Sequence, residues 1–546
     1  MSAETTHKPR PAGSATTTLR RVIVNLLLFI LMAVAATGVG GLLDNLFTRA
    51  DVLAESGSSS LALPLALALV GGPLAVLLFR ALWARLLDPA ERLSAAWGLY
   101  VSVMYLLSLL ISTSYVVGAL AALAAGEKGS WKNGLGYGIA WAAIWAWHRW
   151  MWAHASRGPL SLSNVPPVLG SVLGLVIGVG ALAGLLGSIF ERVLEVSMSG
   201  TSLGTPWWLG ALGLLVWAAG GMLVWWWHWF HEATVKNTSA LADVALVGIG
   251  IGATVLVFLW GAGYVLYSLL RLVLGRNEGF SAVLGTAPAA LAAMLIGALA
   301  WNYHGSVLLQ RHGTVVLAAR LVVSAVALAA AASGIGVVIN AALALGTTSL
   351  GGTPATTLLL AGISSLAIGG PLWWLAWRPT HPADPAGRRI YLVAVFGVSA
   401  LVALVTMLVL GYRLLERLLG DVPGGGLLEH TRAPLGLLVA TALVAGYHFG
   451  LWRYDRALAP APPSAPPTGL RLVTLIAGSD GRELGTEITA HTGAKVTVLR
   501  RQDGQACSAA PALVLQALEG LTAGHVLLLA GPGDRIEAIE LAVHPG

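Results

Sequence analysis

The chain has 546 residues, 56% of them hydrophobic and only 10% charged, against roughly a quarter charged in an ordinary soluble domain. This composition excludes a water-soluble enzyme and makes the apolar span of about 20 residues the unit of reading. The 32 Lys+Arg against 25 Asp+Glu give a net charge of +7, but the basic residues stand singly at the ends of apolar segments. That is a pattern of membrane orientation and not of a nucleic-acid footprint. One cysteine, Cys507, excludes an intramolecular disulfide framework and a four-cysteine metal site.

In chain order, residues 1–20 read as a disordered cytoplasmic N-terminus and residues 21–456 as a membrane domain. Its first six apolar runs are Val22 to Leu43, Leu61 to Leu82, Ala95 to Leu123, Gly134 to Trp152, Val168 to Leu194 and Trp207 to Phe230. The next six are Val244 to Leu270, Ala287 to Leu309, Leu321 to Leu345, Leu358 to Trp377, Ile390 to Leu415 and Pro434 to Trp452. The expected architecture is an all-α polytopic membrane bundle of about twelve transmembrane helices. The first run exceeds the roughly 7–15 apolar residues of a cleavable signal and is retained as a span.

Short-loop charge sets the orientation. With the N-terminus inside, Lys8, Arg10, Arg20, Arg21, Arg80, Arg85, Arg92, Arg149, Arg157, Lys236, Arg311, Arg378, Arg388, Arg389, Arg453 and Arg456 share its side. Arg49, Lys128, Lys132, Arg192, Arg271, Arg276, Arg413, Arg417 and Arg432 fall on the other, 16 against 9. Both termini are therefore expected in the cytoplasm of a cell whose inner membrane holds the bundle. Arg320 precedes 25 apolar residues and reads as an interfacial arginine that snorkels.

Residues 457–469 form a proline-rich spacer. Residues 470–546 alternate β-branched runs with polar helical segments, the pattern of a small cytosolic α/β domain. In that tail, Gly478-Ser-Asp-Gly481 follows a strand and opens a helix, a turn able to hold an anion, although Asp480 with Glu483 is more simply a capping box. Ala530-Gly-Pro-Gly-Asp534 reads first as a tight turn. Six Lys/Arg against eight Asp/Glu in the tail argue against nucleic acid as a partner.

The most specific signal is internal repetition. Gly71-Gly-Pro-Leu-Ala-Val-Leu-Leu-Phe-Arg80 returns as Gly369-Gly-Pro-Leu-Trp-Trp-Leu-Ala-Trp-Arg378. The even-numbered spans end alike, with a column of Phe79, His148, His228, His304, Trp377 and His448 at intervals of one helical hairpin. This implies six tandem hairpins, related as parallel and not inverted repeats. Glycines on the odd spans, among them Gly174, Gly178, Gly248, Gly252, Gly334 and Gly336, allow close backbone packing in lipid.

The Pro371 to Arg378 ending, the aromatic-His-Arg ending at Trp147 to Arg149, the tandem helix pairs and the α/β tail together resemble the bacterial membrane proteins grouped as domain of unknown function 5671. The resemblance implies a multi-spanning bacterial membrane protein and carries no known activity.

Four imidazoles at one depth, His148, His228, His304 and His448, could ligate haem or a metal. The simpler reading is an interfacial collar, because 14 of the 21 tryptophans occupy the same helix ends. In that reading solvent one turn away satisfies the rings, no cofactor or metal is bound, and substitution by an aromatic residue is tolerated. The carboxylates Asp44, Asp51, Glu55, Glu191, Glu195, Glu278, Glu416, Asp421 and Glu429 show no metal-pair spacing, and those beside Arg192 and Arg417 read as surface ion pairs. No acid or lysine interrupts the centre of a span, which argues against an ion-coupled carrier. The expectation is a non-enzymatic membrane scaffold or sensor, its partners the lipid bilayer and a protein at the tail. The alternative is a transporter or lipid-handling protein with a path between the repeats lined by Ser108, Ser112, Asn302 or Asn340; a haem-bearing electron-transfer protein ranks third.

Overall fold

The computed structural model describes residues 13–48, 59–127, 129–199, 206–275, 279–346, 354–378, 385–420, 426–458, 470–506, 511–519, 521, 523–531 and 535–541. Cys507, the spacer from 459 onward, and Asp51, Glu55, Glu278, Asp421 and Asp534 lie outside the described residues. By internal contacts the chain divides into two compact units, Met1–His448 and Phe449–Gly546.

The membrane helices are α1 Gly13–Thr48, α2 Ser59–Arg85, α3 Ala95–Ala124, α4 Leu135–Trp152, α5 Val165–Ser199 and α6 Trp207–His231. They continue as α7 Ala240–Leu274, α8 Ala287–Leu308, α9 Gly313–Ala344, α10 Ala355–Trp377, α11 Pro385–Leu418 and α12 Leu427–Leu458. Eleven of these, all but α4, are long and apolar enough to cross a membrane. The twelfth expected span, α4, is a helix of 18 residues whose second half, Trp145 to Trp152, carries His148 and Arg149. The protein is a multi-pass membrane protein. Leu408, 65% exposed on α11, is one of many outward leucines whose solvent is lipid. Arg320 lies in the second turn of α9 and is exposed, as expected for a snorkelling side chain.

The first five hairpins each pack their two helices together, α1 on α2, α3 on α4, α5 on α6, α7 on α8 and α9 on α10. The second helix of a hairpin also leans on the first helix of the hairpin before it: α4 on α1, α6 on α3, α8 on α5 and α10 on α7. The series closes with α12 on α9, where Gly436 sits so near Gly336 that a Cβ would overlap its carbonyl oxygen. The corresponding contact in the first units is Gly136 against the backbone of Asp44. With only backbone at these crossings the helices approach closely, which is how association is won in lipid where burying apolar surface brings no gain.

Prolines inside α2 (Pro64, Pro73), α10 (Pro371) and α12 (Pro434) each lack an N–H, a defect that neighbouring helices accommodate in a membrane. Arginines pin the loops on the side expected to face the cytoplasm. Arg20 and Arg21 both bind Glu91, at 2.9 and 3.0 Å. Arg92 donates to the carbonyls of Ala155 and Gly158, and Arg311 to those of Val235 and Asn237.

The second unit ends in a sheet of β1 Leu472–Ala477, β2 Lys495–Arg500, β3 His525–Ala530 and β4 Ile536–Leu541, in the order β2-β1-β3-β4. The first three strands run parallel and β4 antiparallel to β3. Helices α13 Gly481–Thr492 and α14 Pro511–Gln516 bury Leu484, Ile488 and Val514 in one core with Val473, Leu475, Val526 and Leu528. The α/β alternation is as expected, with one correction. Asp480 precedes α13 but makes no side-chain capping bond, because its backbone (φ −85°, ψ −4°) is helical rather than extended and so turns the carboxylate away from the N3 amide.

Candidate functional site

Each column histidine sits four residues after a carbonyl at the C-terminal end of an even helix, and its Nδ1 takes that carbonyl as partner. The pairs are His148 with Ile144 (2.8 Å), His228 with Val224 (2.7 Å), His304 with Ala300 (2.7 Å) and His448 with Val444 (2.8 Å). A carbonyl only accepts, so Nδ1 carries the proton, and in the neutral ring Nε2 presents a lone pair. The helix thereby orients four equivalent acceptors.

The expectation that solvent satisfies these rings is wrong. All four are buried, none more than 2% exposed, because the i−4 bond folds the ring back against its own helix and aims it into the bundle. For His148 and His228 a neighbouring helix serves Nε2 instead. The Tyr100 hydroxyl of α3 lies 3.1 Å from His148 Nε2 and that of Tyr105 lies 2.9 Å from His228 Nε2. His304 is boxed by Trp225, Trp229 and Tyr303, and His448 by Trp377, Tyr391 and Tyr447. His448 Nε2 is buried without a hydrogen-bond partner. The four rings lie in separate aromatic boxes, and among the described residues no group of three or more His, Cys, Asp or Glu gathers at metal-binding distance.

The column itself needs a one-residue shift. Trp229 Nε1 donates to Tyr303 OH (2.7 Å) as Trp377 Nε1 donates to Tyr447 OH (3.2 Å), and Phe79 packs on Trp147 in the same way, ring centroids 5.5 Å apart. The structural equivalents are thus Phe79, Trp229 and Trp377. The last turn of α6, Trp227–His231, is a π-helix, which inserts one residue and moves His228 out of the aligned position.

At that π-turn lies a charged cluster that the sequence reading did not single out. The Glu232 side chain, 2% exposed, faces Arg149 Nε of α4 at 3.2 Å and His228 Nε2 at 3.8 Å. Its Oε1 also accepts from Tyr105 OH and from Trp227 Nε1, both at 3.3 Å, while the Arg149 guanidinium stacks 5.1 Å from the Trp227 ring centre. Glu232 Oε2 has no hydrogen-bond partner. Tyr105 has one proton for two acceptors, His228 and Glu232, so the cluster has two self-consistent arrangements. With neutral His228 the hydroxyl donates to Nε2; with His228 protonated, Nε2 donates to the tyrosine oxygen and the hydroxyl turns to Glu232. The only sequence hint was a glutamate four residues after a column histidine.

The path residues are not brought together. Ser108 and Ser112 return their hydroxyls to carbonyls of their own helix, Met104 and Leu109, Asn302 is exposed on α8, and Asn340 Oδ1 is buried on α9 without a partner. Among the surface carboxylates, Glu195 pairs with Arg192 at 3.3 Å, and Asp44 Oδ1 accepts from Gly134 N, tying α1 to the turn before α4.

No curated protein and no solved structure matches the chain. One family model does, the Domain of unknown function (DUF5671), over residues 21–157 and again over residues 317–447. The first match covers α1–α4 and the second α9–α12, so the family's unit is two hairpins, and α5–α8 stand between the matches with the same packing. Over these two segments the chain matches the DUF5671 family.

Proposed function

We propose that the protein is a non-enzymatic scaffold or sensor of the inner membrane, with both termini and the α/β tail in the cytoplasm. The observation that carries this reading is the use to which the candidate chemistry is put. His228 on α6 takes the Tyr105 hydroxyl of α3 and Glu232 takes Arg149 of α4, so these groups fasten the third hairpin to the second, while His148 and Tyr100 clasp the two helices of the second hairpin to each other. A fastened array suits a platform or a transmitter of strain, and the two proton arrangements of the Glu232 cluster suit a sensor.

Solute flux separates this reading from transport. Purified protein in vesicles loaded with graded sugars, amino acids and salts should leave their permeability equal to that of protein-free vesicles. Protein-dependent flux lost on Asn340→Leu would make the protein a transporter.

A further inference from the structure

Each four-helix unit has a crevice between its first and third helix. In the first unit it lies between Phe29 of α1 and Tyr100 and Val103 of α3, with a volume of about 260 Å³. In the third it lies between Ala325 of α9 and Tyr391 and Ala394 of α11, about 290 Å³. In the second it lies between Val172 of α5 and Leu246 and Ile249 of α7, where Trp225 and Trp229 reduce it to about 20 Å³. The correspondence is set by the close helix contacts: Gly38 on Ala68 recurs as Gly334 on Leu366, and Gly71 on Ala35 as Gly369 on Ala331. The tyrosine at the crevice end is the one that meets the fourth-helix histidine, His148 or His448.

We infer that the crevices of the first and third units each hold one hydrocarbon chain of a membrane lipid. Size and walls select the occupant. The third crevice is about twice the ~150 Å³ that takes up a benzene ring, space for roughly a dozen carbons. It follows α11 from Tyr391 to Val402, about 16 Å at 1.5 Å per residue. Its walls are lined by small side chains, Ala329 and Ala332 of α9 and Ala440 of α12. A methylene chain fits between them, whereas a helix about 10 Å across would not enter. Val398, 63% exposed, lines it too, so the slot opens sideways toward the bilayer. In the first unit Phe29 stops the slot where Ala325 leaves it open, and Asn25 marks its end with a buried Oδ1 that has no partner. The inference does not depend on the scaffold reading, since a lipid-handling protein would use the same slots.

The test uses full-length protein in phosphatidylcholine vesicles containing a phosphatidylcholine with a diazirine at the end of one acyl chain. After irradiation, labelled peptides are mapped. Residues Ala329, Ser333 and Ser399 should carry at least about five-fold more label per residue than Leu408 on the outer face of α11. The second unit is the internal control, with no enrichment at Ile249. Ala329→Phe, and separately Ser333→Leu in case the larger ring prevents folding, should cut crevice labelling at least about five-fold and leave Leu408 unchanged. Equal labelling of crevice and outer face, or unchanged labelling in a folded variant, would overturn the inference.

Discussion

The indole N–H of Trp229 donates to the hydroxyl of Tyr303 at 2.7 Å, joining α6 to α8 across two hairpins. Trp377 and Tyr447 repeat the bond between α10 and α12 at 3.2 Å, and Phe79 on Trp147 keeps the contact without the hydrogen bond. The contact is therefore required and the bond is an addition to it. Trp229→Phe should cost about 1 kcal/mol, the net value of one such bond, and Trp229→Ala about 3–5 kcal/mol, as for a truncated core aromatic. Thermal melting in one detergent would check the ranking, and equal losses would count against it.

Removing one member of a buried ion pair leaves the other uncompensated. Arg149→Gln is expected to destabilise the bundle by about 3–5 kcal/mol, because Glu232 is 2% exposed. The double change Arg149→Gln with Glu232→Gln should recover most of the loss. A double-mutant cycle that is additive would show that the two side chains are not coupled.

The four histidines should differ in their tolerance of phenylalanine. His148→Phe strips the buried Tyr100 hydroxyl of its acceptor and should cost about 1–3 kcal/mol. His448→Phe removes an Nε2 that already lacks a partner and should be close to neutral. Melting midpoints of the two variants check the order, and the reverse order would discredit this assignment of partners.

The tail should fold when expressed as residues 470–546. Its core joins α13 and α14 to β1 and β3, with Val473, Leu475 and Leu528 fully buried. Urea titration should show one cooperative transition, and Leu528→Ala should lower stability by about 2–5 kcal/mol. An isolated tail without a transition would mean that its core needs the rest of the chain.

Reporter fusions address orientation. A phosphatase fused at the C-terminus should be inactive and a fluorescent protein in the same place bright, with the same result for fusions in the loop 86–94 that holds Glu91. Activity of the C-terminal phosphatase would reverse the orientation or change the number of spans.

Of the candidate site, the histidines were legible because duplication printed the same ending on several helices. Glu232 was not, because nothing local ties it to Arg149, which lies two helices earlier in the chain. The expectation of solvent-satisfied rings fails for a related reason: nearness to a loop does not measure access to solvent, which depends on the way the ring turns about the helix axis.

The sequence by itself determined that apolar runs of spanning length are helices, since lipid offers no water to backbone amides and each must bond within its own segment. It also determined the hairpin repeat, the histidine positions and the α/β alternation of the tail, all carried by residues near one another in the chain. Tertiary structure alone decided the leaning of each even helix on an earlier odd one, the one-residue shift at Trp227–His231, the pairing of Glu232 with Arg149 and the crevices beside Tyr100 and Tyr391. These depend on the rotation of one helix against another. That rotation is set where glycine backbones meet and where a π-turn adds a residue, and a single chain of letters does not state it.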